Sequence, residues 1–222
     1  MDGTLVDSIH GTTLGLLETF REFGNDAITY EDVRVTIGTP LVQQMKLGIR
    51  PDLDDETLNQ AIEFALSRYA VHHQDLHLFE PAVEALRRCH QEGLKVALIT
   101  SKNATEIQIF SPLFPAMDCV DIIVCASDVQ EPKPHPESMF QACRRLGVEP
   151  QDAFMVGDSI YDLQSANGAG VMPIAVAYGS MPKTVLLEEN PAECFDTPAE
   201  LLEWTQNQFF AHHEKENEFI TH

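Results

Sequence analysis

The second half of the chain alternates short apolar runs with amphipathic helical patterns, and this alternation restricts the folds that are open to it. Four apolar runs are predicted to be strands, namely Val96–Thr100, Val120–Ala126, Phe154–Val156 and Pro173–Ala177. Between them, Pro81–Gln91 and Glu137–Leu146 carry apolar residues at helical spacing, and each pattern stops close to a glycine. Short strands separated by helices of this length predict a parallel sheet that is covered on both faces. The predicted fold class is therefore α/β, with a Rossmann-like parallel sheet core.

The stretch from residue 9 to residue 78 has a different pattern, with helical periodicity and no convincing strand. Its apolar residues follow helical spacing in two segments: Leu14, Leu17 and Phe20, then Leu58, Ile62, Ala65 and Tyr69. We expect residues 9–78 to form an α-helical domain that is inserted into the α/β core and lies over it. The core would then comprise residues 1–8 and 79–222.

The charge of the chain narrows the ligands that it can bind. Its 222 residues include 14 Lys and Arg against 35 Asp and Glu, which gives a formal net charge of −21. A surface with this charge repels nucleic acids and anionic membranes, so we expect neither as a partner. A small anionic ligand can still bind where a metal ion, a lysine and backbone N–H groups create a local positive field.

Two further features of the sequence bear on where in the cell the protein resides. No apolar run reaches the roughly 18 residues that a membrane span requires, and the segment that begins with Met1 has no signal-peptide pattern. The five cysteines are odd in number and never spaced as CxxC. These features predict reduced thiols in a cytoplasmic protein rather than a disulfide scaffold or a zinc site.

Polar side chains stand at or just after the carboxyl ends of predicted strands, which is where ligands bind in open α/β sheets. They fall in four segments: Asp2-Gly3-Thr4, Thr100-Ser101-Lys102, Pro132-Lys133-Pro134 and Gly157-Asp158-Ser159-Ile160-Tyr161-Asp162. Each segment alone has an ordinary structural explanation, respectively a turn, a helix cap, a solvated lysine and acidic residues at a helix N-terminus. Their combined order and spacing favour a functional site instead.

Taken together, the four segments resemble the motifs of the haloacid dehalogenase superfamily. These motifs are an Asp-x-Asp-Gly-Thr loop, then a Thr or Ser, then a Lys, then Gly-Asp-Ser-x-x-Asp. The resemblance covers nearly the whole chain, and the helical stretch falls where the superfamily carries its helical cap. Within the superfamily, residues 5–8, 33–41 and 98–102 are most similar to the phosphoglycolate phosphatase branch.

The resemblance implies hydrolysis of a small phosphomonoester, with phosphoglycolate as the first candidate, through an aspartyl-phosphate intermediate. Asp2 would protonate the leaving alkoxide and then deprotonate the attacking water, as general acid and base. Thr100, Ser101 and Lys133 would bind the phosphoryl oxygens and stabilise the charge there. The expected partner is thus a small phosphorylated metabolite.

The resemblance also implies Mg²⁺ as cofactor, because this ion prefers oxygen ligands and bridges carboxylates to a phosphoryl group. Asp158 would be a metal ligand, and Asp2 would contribute its backbone carbonyl. Asp162 would be an auxiliary ligand or a partner of the site. The cation and Lys133 would supply the local positive field that a chain of this charge otherwise lacks.

One departure from the superfamily pattern concerns the nucleophile. The pattern places the attacking aspartate two positions before Asp2, and Met1 fills the position between them. The apolar strand that leads into this loop would lie between the strands ending at Thr100 and Val156, and it is missing too. We therefore expect a sheet that lacks its first strand and has two unpaired inner strand edges. We also expect that the natural protein starts upstream of Met1 and that the chain as given is inactive.

Two alternatives share these motifs. A sugar phosphate mutase of the same fold would return an isomeric ester instead of releasing phosphate. A catalytically inactive module would keep the pocket and bind a phosphorylated ligand or a protein. A haloacid dehalogenase is disfavoured, because that branch has no acidic residue at the position of Asp2.

Overall fold

A computed structural model of the chain describes residues 1–72, 76–111 and 114–209. The strands in these residues are Val6–Asp7 (β1), His77–Leu78 (β2), Ala97–Ile99 (β3), Ile122–Val124 (β4), Phe154–Gly157 (β5), Met172–Val176 (β6) and Glu193–Phe195 (β7). The α-helices are Ile9–Glu22 (α1), Tyr30–Arg34 (α2), Leu41–Gly48 (α3), Asp55–His72 (α4), Glu80–Gln91 (α5), Ala104–Phe110 (α6), Glu137–Leu146 (α7), Ile160–Ala169 (α8), Lys183–Leu187 (α9) and Pro198–Phe209 (α10).

The strands of the α/β part form two parallel groups. β3 pairs with β4, and β5 pairs with β6, which in turn pairs with β7. All four strands predicted from apolar runs are present, and each strand end lies within two residues of its predicted position. β7 was not predicted. The α/β fold class with a parallel sheet is therefore confirmed.

The helices of this part begin and end close to the predicted bounds because local sequence signals define them. The chain turns into the left-handed region at Gly93, two residues after α5, and at Gly147, directly after α7, with φ values of 83° and 69°. Glycine adopts this conformation without the strain that a Cβ would cause. Both predicted glycine stops are confirmed.

Between β3 and β5 the sheet is interrupted. No ladder joins these two strands in the part of the chain that the structure describes, and a cavity of about 280 Å³ is lined by residues of both. Successive residues of β3 face opposite sides of the sheet, since Leu98 packs in a cluster with Ala82 and Leu201, and Ile99 packs with Met139. The cavity thus lies at the level of the sheet, with helices on both sides, where the missing strand was expected.

Helices α1 to α4 form a layer with a hydrophobic core of its own. Phe20, Leu16 and Met45 are fully buried in this cluster, and α1 packs along α4. The helical layer agrees with the expected helical cap, while the division into residues 9–78 and the remaining chain stays a prediction. No helix in the described ranges combines the length and apolar character needed to cross a membrane.

The expectation that residues 9–78 contain no strand is wrong at its last two residues. His77–Leu78 pairs antiparallel with Val6–Asp7 and forms a separate two-stranded sheet. This pairing holds together the two segments that connect the helical layer to the α/β part. A strand of two residues is too short to show any periodicity in sequence, so pattern analysis cannot detect it.

Candidate active site

The polar segments predicted from sequence meet at the carboxyl ends of β3 and β5. A cleft of about 50 Å³ opens there. On the α/β side it is lined by Met1, Asp2, Thr100, Ser101, Lys102, Glu106, Lys133, Asp158, Ser159, Asp162 and Ser180. From the helical layer and the loop before α3 come Thr12, Ile37, Gly38, Thr39, Leu41, Gln44 and Tyr69. All six residues predicted for the site therefore line one cleft, and the cleft lies between the two parts of the fold.

Asp158 lies at the end of β5 and is almost fully buried. The Thr4 hydroxyl donates to its Oδ1 at 2.9 Å, and the Ser180 backbone N–H donates to its Oδ2 at 2.8 Å. Burial raises the pKa of Asp158, and the nearby Asp162 carboxylate raises it further. A Cβ on Gly3 or Gly179 would overlap Asp158, so both loops approach this carboxylate at positions where only glycine fits.

Lys133 and Asp162 form a buried ion pair beside Asp158. The Lys133 Nζ donates to Asp162 Oδ1 at 2.6 Å, and the Ser159 hydroxyl donates to Asp162 Oδ2 at 2.6 Å. Burial alone would raise the pKa of Asp162, but the Lys133 ammonium, the Met1 amino group and the hydrogen bonds from Lys133 and Ser159 together outweigh burial and hold that pKa below its usual value. Asp162 is thus paired with Lys133, and its predicted role as an auxiliary metal ligand or a partner of the site stays a prediction.

Asp2 lies opposite, in a tight loop in which the Gly3 N–H donates to the Val6 carbonyl at 2.8 Å. Its carboxylate accepts from the Ser8 hydroxyl at 2.6 Å and lies 3.2 Å from Lys102 Nζ. Burial alone would raise the pKa of Asp2, but the Lys102 ammonium, the Met1 amino group and the hydrogen bonds from Ser8 and Lys102 together outweigh burial and lower it to about 2. Asp2 is therefore ionised at neutral pH in this form of the protein.

Lys102 also lines the cleft, and sequence analysis assigned it no role although it directly follows Thr100 and Ser101. Its ammonium is 5.8 Å from the ring centroid of Tyr69 in the helical layer and 5.3 Å from that of Phe110. Burial would lower the pKa of Lys102, but the carboxylates of Asp2 and Glu106 raise it. A buried ammonium that faces the cleft adds the positive field that the strongly negative chain requires near an anionic ligand.

Two hydrogen bonds also join the helical layer to the α/β part around the cleft. The Ser101 hydroxyl donates to the Gly38 carbonyl at 2.5 Å, and Arg34 donates to the Ser180 carbonyl. Ser101 was predicted to bind phosphate, whereas here its hydroxyl contacts the helical layer, so phosphate binding by Ser101 stays a prediction. Thr100 is buried at the cleft, and its Oγ1 accepts from the Lys102 N–H at 3.2 Å.

The oxygen-rich floor of the cleft fits a hard divalent cation. The Asp158 carboxylate is buried next to a second carboxylate, and its other close polar neighbours are the Thr4 hydroxyl and the Ser180 backbone. A cation would relieve the repulsion that raises the pKa of Asp158. Oxygen donors of this kind are typical ligands of Mg²⁺, which binds through one or two carboxylates and keeps water for its other positions.

An α/β sheet whose polar residues converge at its carboxyl edge, under a helical layer, is an arrangement in which small ligands bind at that edge. Residues 1–176 match the model of the family described as haloacid dehalogenase-like hydrolase. This match spans well over half of the chain. The chain therefore belongs to the haloacid dehalogenase-like hydrolases, and the resemblance found in its motifs is confirmed.

Individual relatives extend over most of the chain. A phosphoglycolate phosphatase of Pseudomonas savastanoi pv. phaseolicola is 30% identical over 210 residues, which is 91% of this chain and 76% of that protein. The pyrophosphatase PpaX of Halalkalibacterium halodurans is 26% identical over 204 residues, covering 91% and 93% of the two chains. The crystal structure of a hydrolase from Pseudomonas syringae superposes with a TM-score of 0.81 at 22% identity, over 93% of this chain and 95% of that one. The last similarity shows the shared fold.

Proposed function

We propose that this chain carries the acid/base, phosphate-binding and metal-binding groups of a Mg²⁺-dependent phosphomonoester hydrolase. The proposal rests on one observation. A single cleft is lined by four motif residues, Asp2, Thr100, Lys133 and Asp158. Four motif residues separated by more than 150 positions in sequence face the same small volume. The family membership and the two named phosphatase and pyrophosphatase relatives support hydrolysis of a phosphate ester or anhydride.

The reaction uses these residues in turn. Thr100 and Lys133 hold the phosphoryl oxygens, and the lysine stabilises the charge that develops on them. Asp158 and the Asp2 backbone carbonyl would hold Mg²⁺, which supplies further charge neutralisation at the phosphoryl group when bound. By the motif resemblance, the attacking carboxylate would stand two positions before Asp2 and would form an aspartyl phosphate as the alkoxide leaves.

Asp2 moves the protons. In the first step it donates a proton to the leaving alkoxide, and in the second it takes a proton from the water that attacks the aspartyl phosphate. Because Asp2 is ionised at neutral pH, it is free to accept a proton in the second role. The first role requires a higher pKa, and a phosphoryl dianion bound beside Asp2 would raise it by competing for the Lys102 ammonium.

Phosphoglycolate is the first substrate to test, and inorganic pyrophosphate is the second, following the names of the two relatives. The experiment measures phosphate release over a panel of phosphorylated metabolites, with the chain extended before Met1 by an apolar strand that ends in aspartate. We expect Mg²⁺-dependent release that falls roughly 10²–10³-fold in Lys133→Met and at least as much in Asp158→Asn. Lys46→Met and Asp26→Asn, both on the exposed surface, are the matched controls.

The products separate the alternatives. Formation of an isomeric ester without phosphate release would identify a mutase. Binding of phosphate esters without turnover in the extended chain would identify a binding module. Either result would reject hydrolysis as the function.

A further inference from the structure

Glu106 is a buried carboxylate in the candidate active site to which the proposed reaction gives no role. It lies in the first turn of α6, is only 7% exposed and lines the cleft. Its Oε2 accepts from the Asn103 N–H at 2.9 Å, whereas in the described ranges Oε1 accepts no hydrogen bond. A buried carboxylate oxygen is costly without a hydrogen-bond donor, so Oε1 favours a ligand group that donates one.

The charges around Glu106 disfavour an additional anion. Burial raises the pKa of Glu106 above the ordinary value of 4.5, and the Lys102 ammonium and the Asn103 N–H limit this rise. The same ammonium lies 3.2 Å from Asp2 Oδ2, so it already has a close carboxylate partner. Lys102, Asp2 and Glu106 are one cation and two anions, and their summed charge is negative. A ligand carboxylate would be repelled here, whereas an uncharged ligand group would not.

The helical layer completes this part of the cleft with uncharged residues. The ring of Tyr69 in α4 has its centroid 5.8 Å from Lys102 Nζ, so the helical layer and Lys102 meet at the cleft. Among the residues that the structure describes, those that the helical layer and the loop before α3 contribute to the cleft are all uncharged: Thr12, Ile37, Gly38, Thr39, Leu41, Gln44 and Tyr69. A ligand that extends from the phosphoryl position toward this layer meets neutral side chains.

Two of these neutral side chains have acceptor oxygens. The Thr39 hydroxyl donates its single hydrogen to the Thr36 carbonyl at 2.8 Å, so it can only accept from a ligand. The Gln44 amide nitrogen donates to the same carbonyl at 3.2 Å, which leaves the Gln44 Oε1 as an acceptor. A ligand hydroxyl can donate to such oxygens and accept from the Lys102 ammonium. A carboxylate has no hydrogen to donate, so it matches only the ammonium.

We propose that Glu106 determines the substrate class of this site, by accepting a hydrogen bond from a hydroxyl of an uncharged, polyhydroxylated leaving group. The same hydroxyl accepts from Lys102. The preferred substrates are then phosphate esters of polyols, and phosphate esters of hydroxy acids bind less well. This inference rests on the proposed function, because it takes the phosphoryl group to be held by Thr100 and Lys133. Phosphoglycolate, whose leaving group carries a carboxylate, should therefore be a poorer ligand than its alcohol counterpart.

The test compares two ligands of nearly the same shape by calorimetry with residues 1–222 and Mg²⁺. Glycerol 3-phosphate and 3-phosphoglycerate differ only at the terminal carbon, which carries a hydroxyl in the first and a carboxylate in the second. We expect glycerol 3-phosphate to have the lower Kd by at least about 10-fold, because like charges that face each other strongly disfavour binding. The smaller pair of 2-hydroxyethyl phosphate and phosphoglycolate should show the same order.

Substitutions of Glu106 then assign the preference to its charge. Glu106→Gln keeps the shape and an acceptor for the Asn103 N–H but removes the charge, so it should tighten 3-phosphoglycerate binding and bring the ratio of the two Kd values toward one. Glu106→Asp keeps the charge and should keep the preference. Glu63→Gln on the exposed face of α4 is the matched control and should change neither Kd. A purely structural role of Glu106 would change both Kd values by the same factor.

The possible results separate this inference from the proposed function. Equal or tighter binding of 3-phosphoglycerate by the wild type would overturn the inference, as would an unchanged ratio in Glu106→Gln. If Glu106→Gln does not fold, the wild-type ratio and Glu106→Asp decide. Phosphate release by the extended chain with a higher kcat/KM for 3-phosphoglycerate would keep the hydrolase and reject the inference. Tighter binding of glycerol 3-phosphate without any release would support the inference and reject hydrolysis.

Discussion

Asp158 is held by contacts that make its charge costly in the absence of a cation. It is buried and has the Asp162 carboxylate as a neighbour, and the hydrogen bonds from Thr4 and Ser180 offset only part of this cost. Gly3 and Gly179 allow the two loops to close around it. A residue placed in this way lowers the stability of the protein unless the negative charge has a ligand to bind, which is typical of a functional site.

The substitution Asp158→Asn should therefore raise the melting temperature of metal-free protein at pH 7. The raised pKa of Asp158 means that the folded state disfavours the charged form, so this cost is present at neutral pH and disappears as the pH falls below the ordinary value of 3.8. The asparagine keeps the shape and one acceptor oxygen. Thermal unfolding with and without millimolar Mg²⁺ checks this, and Mg²⁺ should stabilise the wild type only. A destabilised Asp158→Asn protein at pH 7, or equal Mg²⁺ stabilisation of both, would contradict it.

At the scale of elements, the start of α6 connects local capping to the site. Asn103 caps this helix by accepting from the Glu106 N–H at 3.0 Å, and Glu106 accepts in return from the Asn103 N–H at 2.9 Å. Lys102, the partner of Asp2, immediately precedes this capping box. The same reciprocal pattern occurs at the start of α2, where neither Thr29 nor Asp32 lines the cleft.

These two caps form a matched pair for mutation. Asn103→Ala and Thr29→Ala should each lower the free energy of unfolding by about 1 kcal/mol, because each leaves a helix N–H without its acceptor. Only Asn103→Ala should also reduce phosphate release by the extended chain, since it loosens the segment that positions Lys102. Denaturant unfolding and initial rates measure the two effects. Equal loss of activity in both variants would mean that α6 does not position Lys102.

The parts that could be predicted from sequence are those with a local signal. Helices with a glycine stop, strands in apolar runs and residues at strand ends fall into this group, including Thr100 and Asp158. The ion pair between Lys102 and Asp2 and the bond from Ser180 to Asp158 were not predicted, because they join residues far apart in sequence. β2 and β7 are two and three residues long, and they do not lie within longer apolar runs as the three-residue strands β3 and β4 do.

For the whole molecule, the dominant feature is a sheet in two parallel groups with a cavity between them. A central strand would supply side chains to both faces and two ladders of hydrogen bonds. Each buried aliphatic side chain contributes roughly 2–5 kcal/mol, whereas a whole domain is stable by about 5–15 kcal/mol. An apolar strand that filled the cavity would therefore contribute a free energy comparable to the stability of a whole domain.

Joining an apolar strand covalently before Met1 should accordingly raise the melting temperature sharply, by roughly 10 °C or more. The same extension with two central prolines is the control, because it adds length without completing the ladder. Differential scanning calorimetry of the three chains gives the comparison. If residues 1–222 melt cooperatively within a few degrees of the extended chain, the sheet has closed without that strand.

The most direct test of the account compares phosphate release by three chains with the best substrate of the panel. These are residues 1–222, the chain extended by an apolar strand that ends in aspartate two positions before Asp2, and the same extension ending in asparagine. The two extensions share the strand and differ only in the attacking group. We predict Mg²⁺-dependent release by the aspartate extension alone, with the other two slower by about 10⁴-fold or more. Comparable turnover by the asparagine extension or by residues 1–222, abolished by Asp158→Asn, would show that another group attacks phosphorus in this cleft.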